Sequence, residues 1–167
     1  QGLLEELEQS IKKLEKETGK TFGSGKNPLL LSVRSGSKVS MPGMMDTILN
    51  LGINDVVVSS LAKSTSNPRF AYDCYRRFIE MYGSVVLEIS HYNFERILEE
   101  VKEVSGVASD GELSAEQLQE VVKRYKTVIK KYSGHDFETD PFEQLKHAII
   151  AVLKSWMSPR AITYRNI

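Results

Sequence analysis

Cysteine, tryptophan, histidine and proline are all scarce in this 167-residue chain, with one, one, three and five of each. Cys74 alone closes no internal disulfide, which excludes a small secreted scaffold built on bridges. His91, His135 and His147 lack the spacing of metal ligands, so each is read as a surface or half-buried side chain. No apolar run approaches the ~20 residues that cross a bilayer, so no membrane partner is expected. An excess of one charge is missing too, because Lys plus Arg total 22 and Asp plus Glu total 22. That excludes a nucleic-acid coat, which needs surplus cations, and an acidic disordered tail. Neither a Gly-x4-Gly-Lys-Ser/Thr loop nor a Gly-x-Gly-x-x-Gly turn is present, so the simple phosphate loops are excluded. The chain opens on Gln1 with helix-like sequence and no signal peptide, and reads as an internal segment of something longer.

What is present is a globular composition, 41% apolar and 26% charged. The neutral total conceals a division. Glu95 to Glu143 holds 12 acids against 7 bases, whereas Gln144 to Ile167 holds four bases and no acid.

Periodicity lays out the elements. Leu3, Leu4, Leu7, Ile11 and Leu14 recur at helical spacing over Gly2–Thr18, and Gly19 supplies a stop. Thr21 to Pro28 reads as loop, and Leu29 to Val33 as a buried strand. Met44 to Leu51 fits a helix turn or a returning strand, and periodicity does not choose. Asn54 caps a helix through Ala62, and Asn67-Pro68 starts another that Gly83 closes. That second helix is expected to bury Phe70, Ala71, Cys74, Phe78 and Tyr82. Ser90 opens a helix that Gly106 ends. Ser114 and Gln117 have capping-box spacing, and Asp140-Pro141 begins a helix that Pro159 breaks. Arg160 to Arg165 is read as a short final helix.

Three stretches invite chemical readings. Ser109 to Gln117 resembles half a calcium loop, but Gln117 falls where a bidentate glutamate is required, so a turn with a capping box is expected. Tyr72, Tyr75, Arg76, Arg77 and Tyr82 mix aromatic and basic groups that could stack bases. Helical spacing instead puts the aromatics on a core face and leaves Arg76 and Arg77 to the rim, with a salt bridge between lobes. The sharpest feature is Leu31-Ser-Val-Arg-Ser-Gly-Ser37. A strand fixes where Arg34 starts, its planar fork matches phosphate oxygens, and a Ser/Gly turn can offer backbone N–H groups as an anion nest. An ordinary polar turn after a strand fits the same residues equally well. Beside it, Met41, Met44 and Met45 flank Pro42-Gly43, where glycine allows close approach of a ligand and methionine fills irregular contacts.

Three blocks in order carry a family resemblance: Leu29 to Gly52, Arg69 to Tyr82, and Ser155 to Arg165. Together they closely resemble the pyruvate, phosphate dikinases, over nearly the whole chain. The resemblance implies an enzyme that converts ATP, phosphate and pyruvate to AMP, pyrophosphate and phosphoenolpyruvate, using Mg²⁺ and a phosphohistidine on a separate swivelling domain. It implies that this chain is a piece of the N-terminal nucleotide-binding domain, and that it is inactive alone. Arg34 is implied as the catalytic and ATP-contacting arginine, with Ser35, Gly36 and Gly43 in the phosphate-side turns. No role passes to Lys38, and no metal ligand or catalytic histidine is implied within the segment. Related phosphoenolpyruvate synthases share the Val-Arg-Ser and Arg-Ala-x-x-Tyr-Arg patterns but lack most of the helical stretch between. In that comparison Asp46 to Leu51 aligns with a strand.

The expected fold is α+β and mainly helical, part of an ATP-grasp-like domain. Residues 1–53 form its helix and strand-turn-strand part, 54–140 an inserted helical lobe, and 141–167 a helix returning to the first part. Expected partners are ATP and the swivelling domain, with a homo-oligomeric parent in the cytoplasm or in a plastid or glycosome-like organelle. Arg160 and Arg165 either face the nucleotide cleft or suit the dipole of a helix end. The competing readings are a non-catalytic helical interaction module, a phosphoenolpyruvate synthase and a glucan dikinase.

Overall fold

An amphipathic helix and two short strand pairs lead into a helical lobe in the computed structural model, which describes residues 2–36 and 43–166. The helices are α1 (Gly2–Thr18), α2 (Asp55–Thr65), α3 (Pro68–Val85), α4 (Tyr92–Ser105), α5 (Ala115–Ser133), α6 (Pro141–Ser155) and α7 (Pro159–Arg165). The strands are β1 (Thr21–Phe22), β2 (Pro28–Leu29), β3 (Leu31–Arg34) and β4 (Thr47–Leu51). The fold is therefore a predominantly helical α+β arrangement.

The loop expected at Thr21–Pro28 has its ends paired. β1 runs parallel to β2, with Phe22 opposite Leu29. Phe22 accompanies the pairing by turning into the core. It is 4% exposed, meets the Phe142 ring edge-on at 5.6 Å, and donates its N–H to the Glu15 carboxylate at 2.7 Å. The expected strand over Leu29–Val33 divides at Leu30 into β2 and β3. The open reading of Met44–Leu51 resolves as strand. β4 is antiparallel to β3, with Val33 opposite Ile48 and Arg34 opposite Thr47.

The caps read from the sequence are in place. Asn54 accepts the N–H groups of Val56 and Val57, Asn67 that of Phe70, and Asp140 those of Phe142 and Glu143. Ser114 and Gln117 bond reciprocally. Helix α2 runs past Ala62 to Thr65, where Ser66 takes a left-handed turn. Helix α4 starts two residues after Ser90, and His91 precedes it without a side-chain cap.

Helix α3 departs most from expectation. It passes through Gly83 to Val85 instead of ending there. Its buried face is Ala71, Tyr75, Phe78, Ile79 and Tyr82, whereas Phe70 is exposed and Cys74 half-buried. Tyr75, Phe78 and Tyr82 close around Phe137, from the α5–α6 connection, with ring centroids 5.7–6.2 Å apart. Helix α5 packs against α3 and α4, and one cluster of buried side chains runs from Ile11 to Val152.

Candidate functional site

Arg34 ends β3 with its side chain exposed, while Val33 turns inward, as strand alternation requires. Among the described residues no carboxylate pairs with its guanidinium. Arg34, Ser35 and Gly36 form the polar edge of a cleft of about 510 Å³. Helix α6 supplies the apolar wall through Ile149, Val152 and Leu153, continued by Trp156 just beyond it. Gly43 is exposed with φ +70°, a left-handed backbone that suits glycine, and does not line this cleft. Ser37, Lys38, Met41 and Pro42 lie outside the described residues.

Two serines bring the C-terminal block to this region. The Asp46 N–H donates to Ser155 Oγ at 3.1 Å, and the Ser155 hydroxyl donates in turn to the Val152 carbonyl at 2.7 Å. Ser158 Oγ donates to the Met44 carbonyl at 3.4 Å and also caps α7 through the Ala161 N–H. Sequence reading missed these links, because a serine that spans 109 residues looks like any other serine.

The two arginines of the basic end have separate places. Arg160 lies 3.5 Å from Asp46 and lines a second cleft of about 470 Å³ with Glu88, His147 and Lys154. Arg165 sits over the Trp156 ring at 4.2 Å and donates to the Trp156 carbonyl at 2.6 Å. Trp156, the single tryptophan of the sequence, is thereby held against the wall of the Arg34 cleft.

The basic-aromatic cluster of α3 is structural, and the rim position expected for Arg76 is wrong. Arg76 is 5% exposed and meets Asp73 at 2.9 Å, Glu80 at 3.5 Å and Asp110 at 2.8 Å. A buried guanidinium requires such carboxylates. These pairs tie α3 to the turn after α4, inside one lobe. Arg77 keeps to the exposed side and pairs with Asp73 at 3.0 Å. The stretch weighed as a calcium loop spends its acids on the chain itself. Glu112 accepts the N–H groups of Ala108 and Ser109, and Asp110 pairs with Arg76 and Lys102. Burial and the neighbouring Asp73 push the Cys74 thiol up, which disfavours a thiolate. His147 Nδ1 meets the Tyr82 hydroxyl at 2.8 Å, and His91 lies 3.3 Å from Glu80. His135 is exposed in the turn after α5.

Residues 1–167 match the family model of the pyruvate phosphate dikinase AMP/ATP-binding domain. The chain is 55% identical over 166 residues to the chloroplastic pyruvate, phosphate dikinase of Mesembryanthemum crystallinum, covering 99% of this chain and 17% of that one. It is 50% identical over 168 residues to the pyruvate, phosphate dikinase of Clostridium symbiosum, covering 100% and 19%. It is 52% identical over 167 residues to that of Rhizobium meliloti (strain 1021), again covering 100% and 19%. The chain thus spans less than a fifth of the length of these relatives. Among the described residues no helix is long and apolar enough to cross a membrane.

Proposed function

This chain belongs to the pyruvate phosphate dikinase AMP/ATP-binding domain family, and from that premise we propose that it supplies one wall of an ATP site in a longer dikinase. That enzyme converts ATP, phosphate and pyruvate to AMP, pyrophosphate and phosphoenolpyruvate. A pyrophosphoryl group passes from ATP to a histidine on a swivelling domain of the same longer chain, and phosphoryl transfers follow. The names of relatives from a chloroplast and from bacteria support the cytoplasm or a plastid as its place. A homo-oligomeric parent and a glycosome-like compartment rest on the family resemblance alone.

The observation that carries the proposal is Arg34, an exposed cation at a strand end that faces a cleft without a carboxylate partner among the described residues. Phosphoryl transfer depends on positioning and charge stabilisation. The Arg34 fork would hold two phosphate oxygens and take up negative charge as it shifts toward the leaving group. Backbone N–H groups of Ser35 and Gly36 would add donors on the phosphate side, while Gly43, outside the cleft lining, keeps a role only on the family resemblance.

Bound Mg²⁺ would neutralise phosphate oxygens. On the family resemblance, its ligands are proposed to lie outside this segment. The proposed layout keeps 1–53 and 141–167 as ATP-grasp-like parts and 54–140 as an inserted lobe. The Ser155 and Ser158 bonds to the 44–46 segment support the return of the last part to the first.

The test is Arg34→Ala and Arg34→Lys in the full-length enzyme, assayed on the ATP half-reaction and on pyruvate binding. Arg34→Ala should slow the ATP half-reaction by about 10²–10³-fold and spare pyruvate binding. Lysine keeps the charge and loses the fork, so Arg34→Lys should stay well below the parent. Parental activity of Arg34→Lys would refute the fork. A lone charge-assisted contact of about 1.5–3 kcal/mol cannot hold ATP tightly in an open half-site. The 167-residue chain by itself should therefore bind ATP weakly and show no turnover, and sub-micromolar binding by calorimetry would contradict this.

A further inference from the structure

The Arg34 cleft is chemically two-ended. Arg34, Ser35 and Gly36 stand at one edge, and Ile149, Val152, Leu153 and Trp156 make an apolar wall. Its volume of about 510 Å³ lies within the range of roughly 300–1,000 Å³ usual for small-molecule sites. Trp156 is the only tryptophan of the chain and remains 39% exposed. Arg165 fixes it twice, by a guanidinium 4.2 Å from the ring centroid and by the 2.6 Å bond to its carbonyl. With one ring face covered by a cation, the exposed remainder of the indole is what the cleft can offer a ligand. A clamped aromatic surface loses little freedom on binding. Next to a guanidinium that has no carboxylate partner among the described residues, it matches a ligand with a flat aromatic ring at one end and anionic oxygens at the other.

We propose that Trp156 is the stacking surface for the purine base of the nucleotide, with Arg165 as the positioning residue that holds the indole. This rests on the nucleotide reading of the Arg34 cleft. It adds an orientation, with the base toward the end of α6 and the phosphates toward the end of β3. Stacking is tolerant of base edges, so the site should accept purines with modest discrimination among them.

The experiment is binding to the full-length enzyme, with adenosine and inorganic tripolyphosphate as separate probes of the two ends. Trp156→Ala should weaken adenosine about tenfold and leave tripolyphosphate within about twofold. Arg34→Ala should do the reverse. Trp156→Phe keeps a ring and should restore most adenosine binding. Arg165→Met removes the clamp without opening a core cavity, and should weaken adenosine alone. Unchanged adenosine binding in Trp156→Ala, with tripolyphosphate still lost in Arg34→Ala, overturns the stacking role and leaves the nucleotide reading intact. If Arg34→Ala also leaves tripolyphosphate unchanged, the nucleotide reading itself fails. Equal weakening of both probes by Trp156→Ala and by Arg165→Met overturns the stacking role in favour of a structural one.

Discussion

The ring of Phe94 rests on the bare backbone of Gly83, and a Cβ built at residue 83 would lie 2.4 Å from Phe94 Cζ. Glycine in mid-helix is a weakness of about 1 kcal/mol relative to alanine, so propensity alone favours Gly83→Ala. Packing opposes it. Phe94 is fully buried and meets the Tyr125 ring edge-on at 5.1 Å, so it has nowhere to retreat. Overpacking of this kind costs about 1–3 kcal/mol and outweighs the helical gain. Gly83→Ala should therefore lower stability in urea denaturation by up to about 2 kcal/mol. Adding Phe94→Leu should recover part of the loss. A stabilised Gly83→Ala would mean that α4 does not press on α3 at this point.

Asn54 does more than cap α2. Its Oδ1 accepts from Val56 and Val57, while its Nδ2 donates to the carbonyls of Gly23 and Thr139, both at 3.2 Å. Aspartate is as good a cap as asparagine in general. Here an aspartate would turn a carboxylate oxygen toward two carbonyls in a site where Asn54 is only 8% exposed. Leaving or opposing buried acceptors costs about 1–3 kcal/mol each. Asn54→Asp should lose about 2 kcal/mol or more in chemical denaturation, in spite of the preserved cap. An Asp variant as stable as the parent would show that the two carbonyls do not depend on residue 54.

The Arg76 network gives the lobe an acid limb. Burial by itself would raise Asp110, but Arg76 and Lys102 beside it outweigh that and hold its carboxyl below the usual aspartate range. A carboxylate depressed in the fold contributes stability above its unfolded pKa and loses it as pH falls through the folded value. Glu80, on the other side of Arg76, is raised by burial even though His91 and Arg76 counter it. Its folded form is favoured at acid pH and disfavoured as pH rises through that raised value, so it partly offsets Asp110. The difference in melting temperature between parent and Asp110→Asn should be largest near neutrality and shrink below the ordinary aspartate range. A gap of constant size across that range would remove Asp110 from the account.

Local features of this chain are readable in the sequence, and distant ones are not. Asn54, Asn67, Ser114 and Asp140 announce helix starts because a cap bonds residues two or three positions away. The Val33-Arg34-Ser35 strand end is legible for the same reason. The burial of Arg76 is only half legible: Asp73 and Glu80 flank it at helical spacing, but Asp110, which closes the network, lies 34 residues on. Gly83 looks like a stop signal until Phe94 is placed against it. The polar edge of the cleft is visible as a short motif, whereas its wall at Ile149 to Trp156 comes beside it only through the packing of α6 on β3 and β4. The β1–β2 pair lies in a stretch that reads as loop, because two-residue strands carry no period.

The two glycines of the candidate site separate fold from ligand. Gly43 has φ +70°, a conformation that costs an L-residue about 1–2 kcal/mol, so Gly43→Ala should lower stability by that amount. Gly36 has no such backbone, and among the described residues a Cβ there would meet nothing within 4 Å. Gly36→Ala should therefore leave the unfolding free energy within about 0.5 kcal/mol of the parent. If the 34–36 turn carries phosphates, the added methyl will collide with the ligand instead, since glycine permits close backbone approach. In the full-length enzyme Gly36→Ala should then raise the KM for ATP by about tenfold, as one lost charge-assisted contact would. The pair is informative together. A Gly36→Ala enzyme with parental stability and parental ATP kinetics would place the phosphates away from this turn, whatever Gly43→Ala does.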